Sequence, residues 1–244
     1  MKHVIYPEKT GTPTATSEDA NYPATNLTNN IRAKVWKAIN GVQAATLTVN
    51  ISADASVIAL DNTNAETAVV KIYDAADAGG SKIQETTHTL ETASRTFDNF
   101  WEEYTEQAAA HSATILLTAA AGETVEAGIV RAGGLYTVGP PKYGISETHV
   151  GYHIEKQYKS GAWYAKKREI VRSFAYTTLL ARSTKYRDLM DLYDYYGPDP
   201  FMMLITDELE DKHYTVFGKF NGEPSASHDY PDYSLVNISI LEVV

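Results

Sequence analysis

The chain has 244 residues, no cysteine and a formal net charge of −10, long enough for one large domain or two of ordinary size. The absent cysteines exclude disulfides, thiolate metal sites and thiol nucleophiles. The acidic balance argues against nucleic-acid binding through a phosphate backbone, which needs clustered Lys and Arg.

Seventeen Tyr is a high count for this length, in keeping with half-buried sheet surfaces or with interfaces. The start, Met1-Lys2-His3-Val4-Ile5-Tyr6-Pro7, lacks the apolar core of a signal peptide. No apolar run approaches the roughly 20 residues a membrane helix requires, so a soluble protein without membrane insertion is expected. Residues 7–30, rich in Thr, Pro, Asn and Ala, read as turns rather than a helix. Ala45 to Ile51 then alternates cleanly, with Leu47, Val49 and Ile51 on one face of a strand. Val57–Leu60 and Ala68–Tyr73 follow as short β-branched runs around a polar turn, Asp61-Asn62-Thr63-Asn64. Asp74–Ser81 reads as a loop and Thr86–Leu90 as a further strand. Phe97–Ala110, with Trp101-Glu102-Glu103-Tyr104 at its centre, is open between a short helix and a wide loop. Ser112–Thr118 and Thr124–Ala132 give two more strands. Seven or eight strands at this spacing predict a sandwich or jelly roll.

Gly133-Gly134 and Gly139-Pro140-Pro141 punctuate the chain and place a domain boundary near residue 140. Beyond it, Ser146–Lys159 and Ala162–Leu180 read as long strands joined at Ser160-Gly161. Thr184–Tyr196 is the one helix predicted, capped by Ser183 or Thr184, striped by Leu189, Leu192, Tyr193 and Tyr196, and stopped by Gly197-Pro198. Strands at Phe201–Thr206, Tyr214–Phe220 and Tyr233–Val243 close the chain. The predicted fold is mainly β: an N-terminal jelly-roll β-sandwich over 1–139, then an antiparallel α+β domain over 140–244 with one covering helix.

No Gly-x-Ser-x-Gly elbow, Walker loop, His-Glu-x-x-His or dinucleotide fingerprint occurs, so no enzyme is expected and no catalytic residue is assigned. His149 and His153 share a strand face but lie about 13 Å apart along it, too far for one ion. Asp188, Asp191 and Asp194 form the solvated side of the helix, and Glu208, Glu210 and Asp211 a charged turn. The basic stretch Tyr164-Ala165-Lys166-Lys167-Arg168 reads as a strand end or a subunit contact. Of the three Trp, Trp36 is expected in the core and Trp163 across strands. Trp101 is the aromatic expected to face a glycan, with Tyr104, Asn62 and Asn64 as companions.

The order Ala20-Asn21-Tyr22-Pro23-Ala24-Thr25-Asn26-Leu27, Trp36, Leu47-Thr48-Val49-Asn50, Val57 to Asn64 and Gly128-Ile129-Val130-Arg131-Ala132-Gly133 resembles the discoidin, or galactose-binding-like, jelly roll of bacteriophage virion proteins. The second half, at Arg168–Phe174, Tyr196-Gly197-Pro198-Asp199-Pro200 and Val216–Phe220, looks like the companion domain attached to such modules in tail proteins. The resemblance implies a non-enzymatic virion protein of the tail tip or baseplate. It would be made in the host cytoplasm and be homo-oligomeric in the virion, with other tail proteins and host glycans as partners. It implies no cofactor beyond a structural calcium held by backbone carbonyls, which leaves no trace in sequence. The same architecture also serves carbohydrate-binding modules and adhesins, and a head or neck decoration protein is a further alternative.

Overall fold

The computed structural model describes residues 3–52, 54–90, 98–104, 111–139, 141–151, 154–157, 163–166, 170–205 and 215–243; for 141–143, 154–157 and 163–166 only the backbone is described. The chain forms two compact units: Met1–Val138 with Phe201–Phe217, and Gly139–Pro200 with Gly218–Val244. The first crossing falls at Val138/Gly139, beside the Gly-Pro-Pro punctuation. Residues 201–217, read from sequence as part of the second half, are returned to the first unit.

The first unit is a jelly-roll β-sandwich. Its strands are β1 (His3–Glu8), β2 (Thr14–Ala15), β3 (Trp36–Lys37), β4 (Ala44–Asn50), β5 (Val57–Thr63), β6 (Ala65–Tyr73), β7 (Lys82–Thr89), β8 (Asp98–Glu103), β9 (Ser112–Ala119) and β10 (Glu126–Thr137). One sheet runs β2-β4-β9-β6-β7; the other runs β8-β5-β10-β1, with β3 also on β10 and β15 (Phe201–Leu204) on the far side of β1. Alternation puts one side of each strand into the space between the sheets. Leu47 and Val49 of β4, Ile115 and Leu117 of β9, and Val70 and Ile72 of β6 share one core with Ile58 and Leu60 of β5, Phe100 of β8 and Val130 of β10. Trp36 lies in the same core, fully buried, as its sequence context indicated.

Three local readings change. Phe97–Ala110 contains neither helix nor wide loop over its described part: Asp98–Glu103 is the strand β8, paired with β5. Asp61-Asn62-Thr63-Asn64 is a bulge within β5 rather than a free turn. Asn62 sits at φ 64, the register shifts between Leu60 and Thr63, and β6 starts at Ala65. Gly133-Gly134 interrupts nothing, since β10 runs through both. A Cβ on Gly133 would stand 2.3 Å from the Pro7 carbonyl oxygen, and one on Gly134 2.6 Å from that of Tyr6. The glycines are there so that β1 can lie close.

The second unit is antiparallel, built on β11 (Pro141–Gly151), β14 (Ile170–Ala181) and β18 (Tyr233–Glu242) in the order β11-β14-β18. Residues 218–220 of β16 (Thr215–Phe220) and β17 (Ser225–Ser227) also pair with β18. Between β11 and β14 in sequence, β12 (Ile154–Gln157) and β13 (Trp163–Lys166) form a two-stranded ribbon. The described parts of the long strands expected over Ser146–Lys159 and Ala162–Leu180 are all strand, and residues 152–153, 158–162 and 167–169, with His153 and Ser160-Gly161 among them, lie outside the described residues.

The helix α1 (Lys185–Tyr196) packs on β14 and buries Leu189, Leu192 and Tyr196, while Tyr193 meets Phe220 edge-on at 5.2 Å. Thr184 occupies the cap position without a side-chain cap hydrogen bond, and Gly197 ends the helix at φ 53.

Candidate functional site

The N-terminal loop of the first unit holds the motif that the sequence singled out, and Arg131 fixes it in place. Arg131 stands on β10 with 2% exposure. Its Nη1 donates to the Leu27 carbonyl at 3.2 Å and its Nη2 to the Thr28 carbonyl at 3.2 Å and the Asn30 Oδ1 at 2.9 Å. Its Nε faces Glu8 Oε1 at 3.1 Å, and the guanidinium lies over the Phe217 ring at 5.5 Å. A planar fork is the side chain that can satisfy so many carbonyls at once. Asn26 closes the same loop by donating to the Val35 carbonyl at 2.9 Å. Asn26, Leu27, Trp36 and Arg131 thus act together as one structural clamp.

The clamp ends in an exposed aromatic. Tyr22, 40% exposed, is held by the bond from its own N–H to the Asp19 carbonyl and by the Lys37 N–H donating to its carbonyl. Lys37 Nζ lies over the ring at 5.1 Å and is ion-paired with Glu126. Glu126 is tied by its backbone N–H to Asn64 Oδ1 at 2.9 Å. The half-exposed ring thus has a cation over its face and, through Lys37, a carboxylate nearby, an aromatic surface with polar groups of the kind that line small-ligand sites. Tyr22 was missed as a candidate although it opens the quoted Tyr-Pro-Ala-Thr-Asn-Leu run. The available signal was an aromatic between Asn and Pro in a turn-rich stretch, where an aromatic side chain is more readily exposed than in a strand.

The four residues singled out from sequence do not form a surface. Trp101 is 3% exposed and donates its indole N–H to Glu103 Oε1 at 3.0 Å, and Tyr104 is 6% exposed. Burial alone drives the Tyr104 phenol well above its ordinary pKa. Asn62 donates its backbone N–H to Asn99 Oδ1 at 2.8 Å. Asn64 uses its amide to bridge Glu126 and the Thr124 carbonyl. Trp101 and Tyr104 are buried, Asn62 and Asn64 are half-buried, and Asn64 connects to the Tyr22 cluster through Glu126.

The acidic neighbours that made Trp101 look exposed include a buried carboxylate. Glu102 accepts from Thr86 Oγ1 and Gln84 Nε2, each at 2.7 Å, and faces His88 Nε2 at 3.0 Å, while His88 stacks on Phe100. Burial raises the Glu102 pKa, but the hydrogen bonds from His88, Thr86 and Gln84 together outweigh it and hold the carboxyl below its usual range. Both side chains of the His88–Glu102 pair are under a tenth exposed.

Glu8 is shifted the other way, upward by burial against the opposing pull of Arg131 and Thr10. Asp61, 1% exposed, is paired by Arg32 with Nε at 2.7 Å from Oδ2. Among the described residues no group of three or more metal-ligating side chains occurs, and no helix is long and apolar enough to cross a membrane. Glu208, Glu210 and Asp211 lie outside the described residues.

No family model matches the chain, and no curated protein matches it. Among solved structures it is similar to reduced XRCC1 in complex with the DNA pol beta catalytic domain, at 16% identity and TM-score 0.42 over 52% of this chain and 99% of that one. It is similar to chitosan-binding module 1 of a Paenibacillus sp. IK-5 chitosanase/glucanase, at 16% identity and TM-score 0.39 over 51% and 95%. A third likeness is to the family 32 carbohydrate-binding module of Clostridium perfringens NanJ in complex with galactose, at 17% identity and TM-score 0.38 over 51% and 98%.

Proposed function

We propose that the chain is a non-enzymatic structural protein of a bacteriophage virion, of the tail tip or baseplate, whose jelly roll contacts host surface glycans through the Tyr22 end. The observation that carries the reading is the discontinuity of the first unit, which resumes in sequence at residues 201–217, after the first segment of the second. Domain boundaries commonly fall in exposed linkers that few contacts cross. Here β15, which follows the first segment of the second unit in sequence, pairs with β1 inside the jelly-roll unit.

The non-enzymatic part of the reading is supported by how the buried charges of the first unit are used. Among the described residues of the first unit, Asp61, His88, Asp98, Glu102 and Arg131 are buried charged or titratable side chains; Asp61 pairs with Arg32, His88 with Glu102 and Arg131 with Glu8. The virion part of the reading rests on the resemblance carried by the N-terminal motif, Trp36 and the Arg131 stretch. Solved-structure likenesses with TM-scores of 0.38 to 0.42 are too low to carry a function.

The second reading, a carbohydrate-binding module or adhesin outside a virion, is favoured by the exposed Tyr22 with Lys37 and Glu126 beside it. Sequencing the DNA that flanks the gene separates the two. Neighbours encoding a tape measure, tail hub or cell-wall lysin support the virion; flanking polysaccharide-utilisation or secretion genes sink it.

A further inference from the structure

The strand β11 ends its sheet: among the described residues it pairs with β14 alone. Of its described side chains, Ser146, Glu147, Thr148 and His149 are exposed and Ile145 and Val150 half-exposed. Native edges of this length are commonly blunted by Lys, Pro or a covering loop. Here Pro141, Lys142 and a register shift are confined to the first part of the strand, and the regularly paired stretch Ile145 to Gly151 carries neither Lys nor Pro.

We infer that β11 is a self-association edge, pairing antiparallel with β11 of a second copy about a two-fold axis through Thr148. Outward-pointing backbone groups alternate along a strand, so opposite residues of an antiparallel pair must have the same parity. For two identical edges the axis must then pass through a residue. An axis through Glu147 sets two carboxylates against each other, and one through His149 sets two imidazoles against each other. The axis through Thr148 places Glu147 opposite the partner's His149 twice, with Thr148 against Thr148 and Ser146 against Val150. Glu147 and His149 already share a face, 3.9 Å apart within one chain, and His149 faces Arg172 across the β11–β14 ladder. This inference stands on the second unit alone and does not depend on what the jelly roll binds. The resulting contact is isologous, one patch meeting itself.

The chain has no cysteine, so single cysteines report the register. The two Thr148 Cα atoms would lie about 4.5–5.5 Å apart, within disulfide reach, whereas two Ser146 would be separated by about 13 Å along the strand. Under mild oxidation Thr148→Cys is expected to yield a covalent dimer and Ser146→Cys to remain monomeric. Light scattering is expected to show a concentration-dependent dimer of the unmodified chain. Glu147→Lys weakens that dimer about tenfold, and adding His149→Glu restores it by exchanging the charges. A monomer at all concentrations with Thr148→Cys unlinked overturns the inference, as does a dimer in which neither cysteine links or both link equally. Circular dichroism of each variant confirms that loss of dimer is not loss of fold.

Discussion

Arg131 and Asn30 stand 101 positions apart and meet through a guanidinium-to-amide hydrogen bond of 2.9 Å. That contact joins a core strand to the loop whose sequence marks the chain, and it makes loop geometry dependent on one buried cation. Replacing Arg131 by Met leaves the Leu27, Thr28 and Asn29 carbonyls without their donor and Glu8 without its countercharge. The expected loss is about 3–5 kcal/mol, read as a fall in the urea midpoint at unchanged slope. Arg131→Lys is expected to recover only part of it, because an ammonium cannot fork to several carbonyls.

The two aromatics separate stability from binding. Trp101→Ala removes a buried ring and is expected to cost about 3–5 kcal/mol. Tyr22→Ala removes a half-exposed ring and its contact with Lys37, at about 1 kcal/mol or less. On a glycan array the Tyr22 variant is expected to lose retention while its thermal melt stays near that of the parent. Retained binding by a folded Tyr22 variant would move the glycan contact elsewhere.

The buried Glu102 sets a pH dependence. Its carboxyl is more acidic in the folded chain than in the unfolded one, so its contribution is present above the ordinary carboxylate range and is lost as pH falls through the lowered value. Glu102→Gln is therefore expected to be less stable than the parent at pH 7, by about 2 kcal/mol, with the gap narrowing toward pH 3. Glu8 has the opposite sign. Its raised pKa makes the folded state hold a proton longer, so its contribution falls as pH rises through the shifted value. Thermal melts of the Glu102 and Glu8 variants across this range check both signs.

Gly133→Ala places a methyl against the Pro7 carbonyl and the Ile5 Cγ2 at 2.3 and 2.9 Å. Relief requires β1 to move from β10, and the expected cost is about 3 kcal/mol, with hydrogen-exchange protection lost first at Val4 and Ile5.

Regular alternation made most of the sandwich legible. Leu47, Val49 and Ile51 declared their face, and all three are buried. The strand β8 did not declare itself, because five of its six residues are buried on both sides and the sequence there shows no period of two. The same stretch misdirected the site. Glu102 and Glu103 next to Trp101 resemble a solvent-facing loop, yet one of these carboxylates is buried by a histidine 14 positions away in sequence. The Arg131 stretch stood out as part of a pattern, but its purpose depends on contacts across some 100 residues, which no local reading contains. The return of residues 201–217 to the first unit was hidden for the same reason: Phe201–Leu204 reads as a strand wherever its partner lies.

The proposal that the chain is a virion component is tested most directly by quantitative mass spectrometry of purified virions from a host that carries the gene. The account predicts the chain at a fixed small ratio to the major tail proteins, retained through density-gradient purification. Its absence from the particles, with recovery from the culture fluid or from a polysaccharide-bound fraction, would contradict the virion assignment and leave the glycan-binding module.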